Sequence, residues 1–142
     1  MDCIIRIAKA TDASDLLILN EKFNGKQNIT VEMIELSLKS KNGEDVFVAV
    51  VDEKVIGFCC TRIYSSFCYS VRYAEINEIY VDDSFQHKGI GTALLTYAEE
   101  YLKDNNIVNI QLFTGGENFS AQTFYEKNGY EKTNEIMYRK KG

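Results

Sequence analysis

The sequence predicts a mixed α/β domain built on a central, mostly antiparallel sheet with one parallel strand pair. Two apolar runs, Val46 to Val51 and Val55 to Ile63, flank the polar reversal Asp52-Glu53-Lys54 and read as an antiparallel hairpin. From Tyr73 to Phe113 a strand-like run, a helical-period run and a second apolar run follow one another, the pattern of a crossover joining two parallel strands. No proline, linker or internal repeat interrupts the 142 residues, so a single domain over 1–142 is expected.

Each element has a local reason. Cys3 to Ala8 reads as a first strand. Thr11 offers an N-cap, with Asp12 and Asp15 in the first turn of a helix carrying Leu16, Leu19 and Phe23 on one side and stopped by Gly25. A second helix is expected from Thr30, with Met33, Ile34 and Leu38 along it and Gly43 beyond its end. The hairpin follows, then the strand Tyr73 to Val81. From Gly91, Leu94, Ala98, Tyr101 and Leu102 recur at i, i+4, i+7 and i+8, predicting a helix to about Asn105. Val108 to Phe113 is a short strand, Gly115-Gly116 a turn, and Asn118 to Lys127 a helix ended by Gly129. A final strand is expected around Tyr130 to Tyr138.

Composition narrows the function classes. Hydrophobic residues make up 45% and charged residues 26%, close to the globular average, which argues against disorder. No apolar run approaches the roughly 18 residues of a membrane span, so a soluble, cytoplasmic protein with no membrane partner is expected. The net charge of -5 disfavours the phosphate contacts of a nucleic-acid binder and suits a cationic small substrate. Cys3, Cys59, Cys60 and Cys68 show no C-x-x-C spacing, and the single histidine, His87, leaves too few ligands for a usual zinc site. No metal is expected, and the cysteines read as small buried hydrophobes in a reducing compartment.

The most informative stretch runs from Tyr73 to Leu102. Its strand meets Gln86-His87-Lys88-Gly89-Ile90-Gly91 and then the amphipathic helix. Two glycines two apart let the backbone turn tightly and approach a ligand, while the helix that follows aims unpaired N–H groups and the positive end of its dipole at an anion. A second motif lies downstream: Asn118-Phe119-Ser120-Ala121-Gln122-Thr123-Phe124-Tyr125-Glu126-Lys127-Asn128-Gly129-Tyr130. Gln-x-x-Gly-x-Gly opening a helix, followed after another strand by Asn-x-x-Ala-x-x-Phe-Tyr-x-Lys-x-Gly-Tyr, resembles the GNAT superfamily of acyl-CoA-dependent N-acyltransferases. The match in order and spacing runs from about Val46 to Arg139. It implies helices on both faces of the sheet and transfer of an acetyl group from acetyl-CoA to a primary amine of a small molecule.

The resemblance also implies site residues. Gln86, His87, Lys88, Gly89, Ile90 and Gly91, with Thr92, would wrap the CoA pyrophosphate, mostly through backbone N–H groups. The backbone at Ile79, Tyr80 and Val81 would lie along the pantetheine arm, and Asn118 would reach it from the later helix. Many members carry proline near Asp83, where this chain has Asp82-Asp83-Ser84. Tyr125 falls where the family often places the tyrosine that protonates the departing thiolate; its alternative is core packing, because Ala121, Phe124 and Tyr125 form an i, i+3, i+4 stripe. Tyr130 reads as a packing residue.

The attacking amine must be neutral, so a proton acceptor is needed. Glu78 and Glu75 on the motif strand are the candidates, although a period of two puts them on opposite faces unless a bulge intervenes. Asn77 stands where some relatives carry an acid. Acceptors within this reading are a small metabolite, an aminoglycoside or a protein amine, and Phe23 to Ile29 and Tyr64 to Arg72 would border them. A non-catalytic acyl-CoA-binding regulatory module is the rival; a homodimer is left open.

Overall fold

The computed structural model describes residues 2–40 and 43–142. Strand β1 (Ile4–Ile7) leads through a 3-10 turn into helix α1 (Ala13–Asn24), and α2 (Val31–Ser40) follows. Strands β2 (Glu44–Val51), β3 (Lys54–Tyr64) and β4 (Tyr73–Val81) form a meander, α3 (Ile90–Asp104) crosses over to β5 (Ile110–Leu112), and α4 (Phe119–Lys127) comes last. The sheet order is β1-β2-β3-β4-β5, antiparallel except for the β4–β5 pair.

The local chemistry explains these boundaries. Asp52 and Glu53 both have positive φ, the conformation that matches a two-residue hairpin turn to the strand twist. Gly25 closes α1 at φ 76°, and the Thr30 hydroxyl accepts a hydrogen bond from the Met33 N–H to start α2. Thr11 is not the cap expected for α1. Its neighbour Asp12 is buried, accepts two bonds from the Arg6 guanidinium at 2.8 and 2.9 Å and one from the Lys9 N–H at 2.7 Å, and so pins the helix start to β1.

Each face of the sheet has its own core. Leu16 and Leu19 of α1, with Ile34 and Leu38 of α2, cover Val48, Val55, Phe58 and Cys60 on one side. Leu94, Leu95 and Ala98 of α3 cover Phe47, Ile56, Cys59 and Ile76 on the other. Helices therefore lie on both faces, which sets α1–α2 and α3 on opposite sides of β4.

Two further expectations fail. No strand forms around Tyr130 to Tyr138. A strand needs a ladder, and the segment instead runs alongside β5 across a cavity of about 940 Å³ lined by Ile110, Leu112, Ile136 and Met137, among others. None of the expected site residues borders that cavity. Cys68, read as a buried hydrophobe, is exposed in the β3–β4 loop, whereas Cys59 and Cys60 are buried as expected.

Candidate active site

The site begins with an irregularity in β4. Thr61 pairs with Ile76 and Cys60 with Glu78, so Asn77 is an extra residue with no partner on β3. This bulge resets the alternation of the strand. Ile76 and Ile79, three apart, both pack into the core under α3. Glu75 and Glu78, also three apart, consequently share the opposite face, and the parity objection to placing both in one site disappears.

Their surroundings differ. Glu75 accepts a 2.6 Å bond from the Asn77 side-chain amide and a 3.4 Å contact from Gln111, its neighbour in register on β5. Glu78 is half-buried; burial pushes its pKa up, and the nearby Glu44 carboxylate adds to the rise. Glu44 stands on β2 opposite Arg62, which stands opposite Glu75 on β4, so three strands bring a carboxylate, a guanidinium and a carboxylate into one row. No motif marks Glu44, since its place beside Glu78 exists only through the register of β2, β3 and β4.

The parallel pair then opens into a fork. β5 pairs with β4 at Ala74, Glu75 and Ile76 and ends at Leu112, while β4 continues to Val81. From Asn77 onward the outer edge of β4, including Ile79, Tyr80 and Val81, has no strand beside it among the described residues. A ligand with amide groups can occupy that edge as an extra strand would. On the α1 side the Tyr80 ring stacks on Phe23 at 4.9 Å, which closes that face of the fork.

At the far end of β4 the chain makes the glycine turn. The Gln86 amide donates to the Val81 carbonyl at 2.8 Å and folds the turn back on the strand. His87 has φ 63° and Gly89 φ 81°, so two left-handed residues curl the backbone just before α3. Gly89 is the N-cap residue and no side chain caps the helix. The first N–H groups of α3, at Ile90, Gly91 and Thr92, thus have no intrahelical acceptor. A Cβ built on Gly89 would meet no atom of the described residues within 4 Å beyond its adjoining backbone, so the space it would fill is open to a ligand. His87 and Lys88 are exposed beside it, with the Lys88 ammonium 5.8 Å from the Phe85 ring centre. Gly91 has a different reason to lack a side chain: a Cβ there would sit 3.2 Å from the Phe124 ring of α4.

That contact seats α4 against the start of α3. Asn118 caps α4, its Oδ1 accepting from the Ala121 N–H at 3.1 Å, while Nδ2 takes no part in the cap. Tyr125 is half-buried, in edge-to-face contact with Phe124 and with Tyr130. Burial raises its pKa, and the Cys59 thiol and the Glu78 carboxylate raise it further. The phenol therefore stays protonated and lies within electrostatic reach of Glu78. Tyr130 packs as expected and also donates from its hydroxyl to Glu99 at 2.7 Å, a contact with no sequence signal. Among the described residues no cluster of His, Cys, Asp or Glu could hold a metal ion.

A forked sheet leading into an uncapped helix start is a fold that can be matched to known proteins. The Acetyltransferase (GNAT) family model matches residues 15–130. The chain belongs to this family. Among GNAT relatives, an uncharacterized N-acetyltransferase of Methanocaldococcus jannaschii is 38% identical over 96 residues, which make up 67% of this chain but 42% of that protein. The uncharacterized N-acetyltransferase YhfO of Bacillus subtilis is 32% identical over 136 residues, covering 90% of this chain and 89% of the relative. The aminoglycoside acetyltransferase AAC(6')-Iy, solved with the bisubstrate analogue CoA-S-monomethyl-acetylneamine, superposes with a TM-score of 0.86 over 100% of this chain and 99% of its own, at 20% identity. That likeness speaks for the GNAT fold.

Proposed function

We propose that the protein is an N-acetyltransferase, a single domain over 1–142, that moves an acetyl group from acetyl-CoA to a primary amine of a small molecule by direct attack in a ternary complex. The observation that supports this most is the fork beyond Ile76 and Leu112, which runs into the uncapped start of α3 and has Glu78 and Tyr125 in mutual electrostatic reach.

Acetyl-CoA, when bound, supplies an activated thioester. The chain's own groups do the rest. Residues Gln86 to Thr92 present the helix N–H groups to the pyrophosphate, with His87 and Lys88 adding positive charge at the rim. The free edge at Ile79, Tyr80 and Val81 holds the pantetheine amides, and the Asn118 amide nitrogen contacts the arm from the other side. An alkylammonium with a pKa of about 10 is roughly a thousandfold protonated at pH 7, equivalent to about 4 kcal/mol. Glu78 accepts that proton, and its raised pKa makes it a better base than an ordinary surface carboxylate. Glu75, held by Asn77 and Gln111, is the second candidate. The amine nitrogen bonds to the acyl carbon and the C–S bond breaks. The Tyr125 hydroxyl hydrogen-bonds to the departing sulfur; because its pKa is raised, sharing the proton is favoured over full transfer.

The acceptor in this reading carries positive charge, in keeping with the net charge of -5 and with Glu44, Glu75 and Glu78 on one face. Aminoglycosides and protein amines remain within the acceptor class to be tried. The test is release of free thiol on mixing the protein with acetyl-CoA and a panel of di- and polyamines, aminoglycosides and lysine peptides. Amine-dependent release supports the reading. CoA binding with no release from any amine would favour a non-catalytic module.

A further inference from the structure

The bulge residue Asn77 carries an atom that the fold leaves without a partner. Its Nδ2 donates to Glu75 Oε2 at 2.6 Å. A carboxylate can only accept, so this bond fixes which way round the amide sits: Nδ2 toward Glu75, Oδ1 away from it. Oδ1 is buried, and no donor among the described residues reaches it. A buried amide oxygen left unpaired costs about 1–3 kcal/mol, so native proteins seldom leave one without a use.

Its position suggests the use. Asn77 is the first residue of β4 beyond the last pair with β5, at the crotch of the fork. The bulge sets it immediately before Glu78, with Glu75 on its other side. A group arriving here has a bound proton acceptor beside it and the free β4 edge ahead. The geometry points to Asn77 Oδ1, once this half-buried side chain turns outward from its resting position, as the acceptor of an N–H bond from the substrate amine, aligning the nitrogen while Glu78 takes its proton. This rests on the acetyl-transfer reading and adds to it a residue that selects the amine.

The proton count gives the substrate class. A primary ammonium brings three N–H bonds. One proton goes to Glu78, one N–H is held by Asn77 Oδ1, and the nitrogen lone pair that is freed attacks the acyl carbon. The second proton is lost as the C–N bond forms and the C–S bond breaks, matched by protonation of the departing thiolate so that CoA leaves as the free thiol, and the product amide still has one N–H to keep on Oδ1. A secondary amine loses its last N–H on becoming an amide, so the bond to Oδ1 breaks as product forms. Asn77 thus favours primary over secondary amines.

Asn77→Leu keeps the side chain's approximate shape but removes the orphan oxygen together with the Nδ2 bond to Glu75, so Glu75→Gln is measured beside it as the control for that second loss. If Asn77 serves substrate, the variant keeps or raises its melting temperature, binds CoA as wild type does, and loses at least tenfold in kcat/KM for a primary amine. Its preference for primary over N-methylated secondary amines falls as well. Asn77→Asp, which keeps an acceptor oxygen, should retain more of that preference than the leucine variant. Wild-type turnover with Asn77→Leu within threefold of it, or with an unchanged amine preference, overturns the assignment and leaves water as the partner of Oδ1. A wild-type protein that releases no thiol with any amine overturns the acetyl-transfer reading and this assignment with it.

Discussion

Gly89→Ala separates the torsional role of the turn from its role toward a ligand. Gly89 sits at φ 81° and ψ 6°, in the left-handed region, where an L-residue costs about 1–2 kcal/mol. Among the described residues, no atom beyond the adjoining backbone lies within 4 Å of the added methyl, so no tertiary clash adds to the torsional cost. With an unfolding entropy of about 2.1 cal/mol/K per residue, the 142 residues give about 0.3 kcal/mol/K, and the melting temperature should fall by about 3–7 °C. The methyl does, however, occupy open space at the N-cap, the residue next to the first N–H groups of α3. If a pyrophosphate approaches there, CoA affinity should fall at least tenfold, about 1.4 kcal/mol. Calorimetric titration with CoA on a folded sample, alongside a thermal melt, reads both quantities. Gly91→Ala is the control: its methyl meets Phe124 rather than open space, and the gain in helix propensity of up to about 1 kcal/mol offsets the crowding, so stability should change little. A Gly89→Ala protein that melts within the expected range and binds CoA within twofold of wild type would refute the pyrophosphate site.

Tyr125→Phe keeps the ring contacts with Phe124 and Tyr130 and removes only the hydroxyl, so single-turnover rates should drop about 10- to 1000-fold with melting and CoA affinity preserved; a lower melting temperature with full activity would instead make Tyr125 a packing residue. Glu78 has a folded pKa above its unfolded value, so the folded state holds its proton more tightly and the associated stability is lost as pH rises through that folded pKa. Glu78→Gln should therefore flatten the decline in stability above the ordinary carboxylate range and also remove the rising limb of the kcat/KM–pH profile measured with one amine; a profile identical to wild type assigns proton removal to Glu75 or water. Asp12 has its pKa lowered, first by the Arg6 hydrogen bonds, so its contribution is present above the unfolded carboxylate pKa and lost as pH falls through the folded one. Asp12→Asn should cost about 1.5–3 kcal/mol in urea melts at pH 7, and progressively less as the pH is lowered below the ordinary carboxylate range; a loss that does not shrink with acidification would contradict the ion pair's role.

Much of this protein was legible in the order of its residues, because local rules act over short stretches. Apolar runs on either side of Asp52-Glu53 made the hairpin, since a two-residue turn leaves the strands only one way to pair. The 3.6-residue spacing of Leu94, Ala98 and Leu102 made α3, and the strand before it and the strand after it made the parallel pair. The start of α4 near Asn118 was readable for the same reason, as the bond that fixes it joins residues three apart. Tertiary structure decided the rest. Whether Glu75 and Glu78 share a face depends on the bulge at Asn77, which arises from pairing with a strand more than ten residues away. Glu44 comes within electrostatic reach of Glu78, and Tyr130 bonds to Glu99, only through register and packing across the sheet. Gly91 proved to answer to Phe124, 33 residues on, as well as to the turn. The segment from Tyr130 to Tyr138 shows the limit most plainly. Its residues can form a strand, but a strand exists only against a partner's backbone, and the end of β5 supplies none to it.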